Sequence, residues 1–438
     1  MKITELYIYP IKSLAPISVP RAVLRPEGVE HDRRFMLLKV LPDGRYKNIQ
    51  IVHFPECALF HQRLIDAGEE DVNQEEEMKK MQMIEVTYHI PSPPLFEPVV
   101  TEQRTALHVP LYPEIDKDDE NKAVGISLMD SPAIAYRMGD PYDKWFSACF
   151  GYPVILVYIG DSARDVLAHK PSEHPLWRNY YQSPSQQEKG TGWMSTIASY
   201  IPGIFSNSGD QKQRQEKEKK TGRGSEWLAF NEIAPYLVTS KASLRDVSRR
   251  LPDGEEMDMR RFRPNIVVDG VSGEGGGKGG EEEEEQEEVL EAWDEDFWAE
   301  LTVVRKWQES VDGEKRRGQY QRHHRLALTS NCGRCMSINV DYHQGRPSEG
   351  EAGRVLKKLM ADRRVDPGNK YSPIFGRYAF IAPPNEGDDE EHVGVIEVAV
   401  GDEIHVTKRL DQRDTWAWPR KAKKHGGSAT FTNDCADR

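Results

Sequence analysis

Residues 328–342, LTSNCGRCMSINVDY, carry two of the chain's five cysteines, Cys332 and Cys335, with Gly333 and Arg334 between them. Such a pair can be half a zinc site, a redox dithiol, two buried thiols, or one thiolate aimed at another group. Zinc calls for four ligands, and the nearby His323 and His324 are adjacent to each other, which suits one ion poorly. A redox dithiol wants its first cysteine at a helix N-terminus, whose dipole lowers the thiol pKa. MSINV after Cys335 favours strand instead, so the pair is expected in a strand–turn–strand. Two inert buried thiols are the plain alternative. Arg334 favours the fourth reading, because a guanidinium and the N–H groups of a glycine-containing turn make an anion site beside a thiolate.

Other polar residues near strand ends extend that idea. Lys12 and Ser13 fall in a turn after the first strand, Arg33 opens a strand at HDRRF, and Arg263 precedes Pro264 and Asn265 in RFRPN. Taken singly, each is an ordinary surface group. With the cysteine turn, they could line a pocket for a phosphorylated anion bearing a soft metal, since thiolates select soft metals.

The elements that must position these groups are mostly short strands. KITELYIYPIKSL alternates Ile3, Leu6 and Ile8 with other residues before Pro10, which reads as strand then turn. RRFMLLKV, MIEVTYHI, ALHVPLY and PVILVYIG read as further strands, and residues 69–80 as an exposed loop or helix. In DSPAIAYRMGDPYDKWFSACFG the period changes, and a helix is expected, capped by Asp130 or Ser131 with Pro132 at its first position. APYLVTSKASLRDVSRRL reads as a buried strand, Ser240 as N-cap, then a helix burying Leu244, Val247 and Leu251. A strand follows Pro264. EAWDEDFWAELTVV is a short helix into a strand, AGRVLKKLMADRR an amphipathic helix, SPIFGRYAFIA a strand, and GVIEVAVGDEIHVTK two strands around Gly401. Many short strands with few helices indicate β-barrel-like domains, an α+β, β-dominated class. GEGGGKGG has no strand before it or helix after it, so it is not a phosphate loop.

The 438 residues exceed the usual reach of one hydrophobic core, so two domains with inserted loops are expected. The stretches at 206–225 and 272–288 are polar or polyacidic, cannot offset their ordering entropy, and are expected to be disordered. With 59 Lys+Arg against 72 Asp+Glu the net charge is −13, which argues against a nucleic-acid partner. Few, scattered and odd-numbered cysteines fit a reducing compartment rather than a disulfide framework. The N-terminus lacks a signal-peptide h-region, and no stretch approaches the ~18 apolar residues of a membrane span. The expected location is intracellular and cytoplasmic, with mitochondrial association left open.

Six segments in order, YPIKSL, GVEHDRRFML, SKASL, RFRPNIVV, NCGRC followed by VD, and SPIFGRY, resemble the signatures of MOSC-domain proteins with an N-terminal MOSC β-barrel domain. That subgroup includes the mitochondrial amidoxime-reducing components. The resemblance implies an N-terminal MOSC β-barrel domain over 1–150, a MOSC domain over 151–410 interrupted by the two insertions, and a polar tail over 411–438. It implies a molybdenum-pterin cofactor with a terminal phosphate, whose metal takes one thiolate. On that basis Cys335 is the ligand and Cys332 its neighbour. Gly333, where a serine is common, and Arg334 contact the cofactor; Lys12, Ser13, Arg33, Arg263 and Asn265 hold pterin and phosphate; Tyr378 matches a contacting tyrosine. Asp341 is a candidate proton or orienting group, or a turn former. The sequence departs from the family in carrying Asn339 and Tyr342 where threonine and proline are usual.

The implied activity is reduction of small N-hydroxylated substrates such as amidoximes and hydroxylamines. Electrons would come from a separate donor, a b-type cytochrome with its reductase or similar, because Cys435 alone cannot build an iron–sulfur cluster. The membrane anchor of some members is not expected here. The alternative from the same resemblance is a cofactor carrier or sulfurase-like module without turnover, and outside it a non-catalytic interaction protein.

Overall fold

The computed structural model describes residues 1–66, 82–116, 119, 122–181, 226–252, 254–270, 290–307, 310–311, 314–315, 320–383 and 395–419. The segment 69–80, the stretches 206–225 and 272–288, and residues 420–438 of the tail lie outside them.

Seven strands close a barrel: β1 (Lys2–Ile8), β2 (Tyr236–Ser240), β3 (Ile266–Asp269), β4 (Trp298–Trp307), β5 (Tyr320–Gly333), β6 (Ile374–Ile381) and β7 (Glu403–Arg409). Round the barrel they run β3, β2, β6, β5, β4, β7, β1, and β1 pairs back onto β3. Neighbours are antiparallel except β2 and β3, whose parallel pairing requires a crossover. That crossover includes α2 (Lys241–Ser248), whose N-cap Ser240 accepts a hydrogen bond from the Ser243 N–H, as the sequence predicts.

The barrel interior gathers Ile3, Leu6, Ile8, Val238, Ile266, Leu301, Leu326 and Leu328. Ile3 and Leu6 are three apart, which a regular strand would put on opposite faces. An irregularity in the β1–β3 register between Ile3 and Glu5 shifts the alternation and turns both inward.

The rest of the N-terminal half is built on a five-stranded sheet, in spatial order Ala123–Leu128, Ser131–Arg137, Val154–Tyr158, Phe35–Val40 and Tyr46–Asn48. A three-stranded sheet, Phe60–Asp66, Gln82–Tyr88 and Leu107–Pro110, completes it with α1 (Asp140–Phe150). Phe146 and Phe150 of α1 pack on Phe60, with ring centroids 5.7 and 4.5 Å away. The β-dominated α+β class is the observed one, and among the described residues no helix is long and apolar enough to cross a membrane.

Local differences have local causes. The expected helix from Asp130 is a strand over Ser131–Arg137, with α1 starting only at Asp140. Pro132 sits near the start of that strand, where a missing N–H is tolerated, and Pro141 takes the helix-opening role. Gly139, with φ 109°, makes the break, a conformation L side chains rarely adopt. After Cys335 the chain makes a 3-10 turn, Met336–Asn339, and only a two-residue strand, Val340–Asp341, follows. Ile338 is fully buried there, and Asn339 accepts the Leu356 N–H, so packing overrides the β-favouring composition. The helix expected in AGRVLKKLMADRR shortens to a 3-10 turn and α3 (Val355–Leu359).

One buried cation organises the loop between the two halves. Arg164 is fully buried, and its guanidinium donates to the carbonyls of Leu128 (2.6 Å), Ser131 (3.2 Å), Ala229 (3.0 Å) and Asn231 (2.5 Å). Burial pulls its pKa down to about 10, so it stays charged at neutral pH. Replacing it leaves buried carbonyls without donors, at about 1–3 kcal/mol each. Arg164→Met is therefore expected to lose about 3 kcal/mol or more in a urea unfolding titration, and a loss below about 1 kcal/mol would show that the carbonyls find other donors.

A cationic cleft around an exposed cysteine

Strand β5 ends in the cysteine turn. Its pairing with β6 is irregular between Leu328 and Ser330 and again between Asn331 and Gly333, which bends the strand away from the ladder. Cys332 is buried, and that burial pushes its thiol pKa up; the Tyr378 hydroxyl lies beside it. Cys335 is exposed, the one free cysteine among the described residues that is, with Sγ 3.2 Å from Ser337 Oγ. The two thiols thus differ in kind: one is packed, the other presented. Among the described residues no group of three His, Cys, Asp or Glu is placed to hold a metal ion.

Arg334 fixes the turn. Its backbone N–H donates to Pro373 O (2.8 Å), its Nε to Phe375 O (2.9 Å) and its Nη1 to Phe262 O (2.7 Å). Nη2 also donates to Phe375 O. The guanidinium carbon lies 5.4 and 5.6 Å from the Phe262 and Phe375 rings, themselves stacked 3.9 Å apart. Most of the donors expected to meet an anion are therefore spent on carbonyls, leaving the positive charge.

Cys335, Gly333, Arg334 and Tyr378 share one open cleft with Lys12, Ser13, Arg33, Arg263 and Asn265. Its empty space, solvent at the mouth included, is ≈ 830 Å³. Asp341 is not among the lining residues. Its Oδ1 accepts the His343 and Gln344 N–H groups at 2.7 and 2.9 Å, the turn-forming role.

Arg33 was expected to open a strand and Arg263 to precede one; in the structure each precedes a strand. Both are left-handed turn residues, with φ of 51° and 55°, and Ser13 has φ of 76°. Non-glycine residues rarely sit there, and these three mark backbone held by its surroundings. Those surroundings are visible. Arg33 and Arg263 lie 4.5 and 4.3 Å from the Tyr9 ring centroid. Buried Asp32 pairs with Arg33 and accepts the Tyr9 N–H at 2.8 Å. Arg263 Nη1 donates to Leu14 O (3.0 Å) and the Tyr342 hydroxyl (3.3 Å), which gives a purpose to the tyrosine at 342.

Asn265 and Ser13 act inward. Asn265 donates to Tyr7 O (3.2 Å), while its Oδ1 accepts from Leu237 N (3.3 Å) and Arg33 (3.3 Å), tying β1 and β2 to the arginine. Ser13 Oγ donates to Ile49 O at 3.0 Å. Lys12 Nζ meets Glu232 Oε1 at 3.2 Å, with the lysine side chain 5% and the glutamate 48% exposed. Burial outweighs that partner and brings Lys12 down to about 8, while the ammonium holds Glu232 below its ordinary value.

Sequence reasoning missed Tyr9, Asp32, Asn231, Glu232, Arg261 and Tyr342. Asn231, Glu232 and Arg261 line the cleft. Asn231 Oδ1 and Arg261 Nε are buried without hydrogen-bond partners, an acceptor and a donor that a polar ligand would complete. Glu232 sits in a loop with no periodicity, and nothing in its spacing announced it. A cleft with several cations, one presented thiol and these two orphaned atoms fits an anionic heterocycle bearing a soft metal.

The description "MOSC N-terminal beta barrel domain" matches residues 1–153, and "MOSC domain" matches residues 225–405. Mitochondrial amidoxime-reducing component 1 of Homo sapiens is 26% identical over 166 residues, 37% of this chain and 37% of that protein. Its Danio rerio counterpart is 28% identical over 163 residues, again 37% of each. Mitochondrial amidoxime reducing component 2 of Homo sapiens is 29% identical over 157 residues, 34% of each. These matches span little more than a third of the relatives' length. Two family descriptions in order, over a barrel whose first strand is also its closing one, identify the chain as a member of the MOSC-domain family, in the form that begins with a MOSC N-terminal β-barrel domain.

Proposed function

We propose that the cleft binds a molybdenum-pterin cofactor through Cys335, and that the protein reduces N-hydroxylated compounds such as amidoximes and hydroxylamines with electrons from a separate donor. The observation that carries this reading is the exposed Cys335 thiol at a cleft lined by Lys12, Arg33 and Arg263. The relatives named as amidoxime-reducing support the choice of substrate class. When bound, the cofactor would supply a two-electron centre for removing the oxygen of an N–OH group as water, which consumes two protons.

The chain's own residues would do the rest. Cys335 is the thiolate that binds the soft metal, and Arg334 keeps the turn in place by its carbonyl contacts. Lys12, Arg33 and Arg263 would neutralise the phosphate, a charge-assisted contact strongest in a partly desolvated site. Asn231 Oδ1 and Arg261 Nε offer one acceptor and one donor to the heterocycle. Asn265 and Ser13 hold backbone and arginine in place from beneath. Cys332 stays a protonated neighbour, since burial raises its pKa.

Cys335→Ser in protein from a molybdenum-replete host is expected to lose molybdenum by about tenfold or more, with unchanged circular dichroism because the side chain is exposed. Wild-type metal content together with full benzamidoxime reduction in the variant would remove Cys335 from the site. Lys12 gives a second expectation. Its folded pKa lies near 8, so below that value it is an ammonium that attracts phosphate, and above it the charge is lost. Pterin retention should fall as pH rises through about 8 in wild type. Lys12→Met should bind more weakly at pH 7 and lose that step, which dialysis with pterin fluorescence would read. A step of equal size in the variant would assign the titration to another group.

A further inference from the structure

We propose that Asp414 and Trp416, in the segment 411–419 after the last barrel strand, are positioning residues for Cys335. The inference rests on Cys335 as the working thiol. Neither residue lines the cleft, yet each starts a chain of contacts that ends on a residue flanking the cysteine turn.

The first chain runs through the barrel wall. Asp414 O accepts from Asn331 Nδ2 at 3.2 Å, and its carboxylate pairs with fully buried Arg377. Arg377 Nη1 returns to Asn331 Oδ1 at 3.0 Å. Asn331 immediately precedes Cys332, so this closed triangle holds the end of β5. His174 Nε2, 3.2 Å from Asp414 Oδ1, ties the same carboxylate to the loop 171–178.

The second chain runs through the loop before β6. The Trp416 N–H donates to Asp366 Oδ1 and Oδ2 at 3.0 and 3.2 Å, and Asp366 Oδ1 also accepts the Gly368 N–H at 2.9 Å. A Cβ on Gly368 would lie 1.9 Å from Trp416 O, so the two backbones are in direct contact. The next residue, Asn369, covers the cysteine turn: a Cβ on Gly333 would lie 2.2 Å from Asn369 Nδ2. His169 seats the segment, its ring 4.5 Å from that of Trp416 and its Nε2 accepting the Ala417 N–H at 3.2 Å.

Both chains are continuous through hydrogen bonds, van der Waals contact and the backbone, and they reach Asn331 just before the turn and Gly333 within it. Undocking the segment would remove the Asp414 hold on Asn331 and the Trp416 hold on the loop carrying Asn369, altering how Cys335 is presented without any change of residue in the cleft lining.

The test uses the full chain from a host unable to make the pterin, so Cys335 is unligated in every sample. Iodoacetamide labelling of Cys335, followed by peptide mass spectrometry, is compared in wild type, Asp414→Asn, Gly368→Ala and the surface control Arg245→Ala. Limited proteolysis within 411–419 reports undocking. Faster cleavage in Asp414→Asn and Gly368→Ala, with a change in Cys335 labelling rate of about fivefold or more and none in the control, is the expected result. Faster cleavage with wild-type labelling overturns the coupling, and wild-type cleavage in both variants overturns the docking contacts. A variant that fails to fold leaves the other to decide. Failure of the cofactor reading would appear separately, as wild-type protein without molybdenum or pterin from a replete host.

Discussion

Everything at the cleft depends on the pairing of β1 with β3. Thr4 Oγ1 donates to Val267 O across 263 positions of sequence, and Tyr7 N and Asn265 O meet at 2.9 Å. Tyr9 OH reaches Pro264 O at 3.0 Å just beyond the paired residues. This seam closes the barrel and, in the same contacts, sets Lys12, Ser13 and Arg33 against Arg263 and Asn265. Without it Lys12 and Arg33 would have no common site with Arg263, some 230–250 positions further along the chain. Ladder hydrogen bonds are individually modest, about 0.5–1.5 kcal/mol each, so the seam draws much of its strength from the apolar residues it buries: Ile3, Leu6 and Ile8 inside the barrel, Tyr7 and Tyr9 outside it.

Gathering positive charge costs free energy, and the surroundings show how it is contained. Asp32 lies beneath Arg33, Glu232 faces Lys12, and the Tyr9 ring offers its face to both arginines. The three left-handed residues, Ser13, Arg33 and Arg263, carry strain of order 1–3 kcal/mol each, sustained only because neighbouring contacts over-determine them. Charge and local backbone strain therefore coincide at Arg33 and Arg263, as expected where binding geometry outranks local comfort.

Much of this was legible from the chain. Alternation in KITELYIY marked a strand, Ser240 marked a helix start, and six short segments in order resembled the signatures of the family. What was not legible was decided by tertiary contact. Pro132 followed an N-cap residue and read as a helix opening, yet the pairing of Ser127 with Pro132 made it sheet. MSINV read as strand, yet burial of Ile338 and the grip of Asn339 on Leu356 made it a turn. The candidate residues came from motif positions, which say nothing of orientation. Arg334, Ser13 and Asn265 do line the cleft, but hydrogen-bond geometry commits most of their polar atoms to the protein itself. Glu232, Asn231 and Arg261 had no pattern to betray them.

The place of β1 in the barrel also bears on synthesis. The first stave leaves the ribosome long before either neighbour exists, and at ~5–20 residues per second the gap to Val267 is roughly 13–50 s. Throughout that interval Ile3 and Leu6 have no barrel interior to enter. The end of the strand can pair with Ile17 and Ser18, while the stretch from Lys2 to Leu6 lacks both barrel neighbours. Unpaired apolar strands in a nascent chain are prone to aggregate. The barrel can close only after β7 has also appeared, because β7 pairs with both β4 and β1.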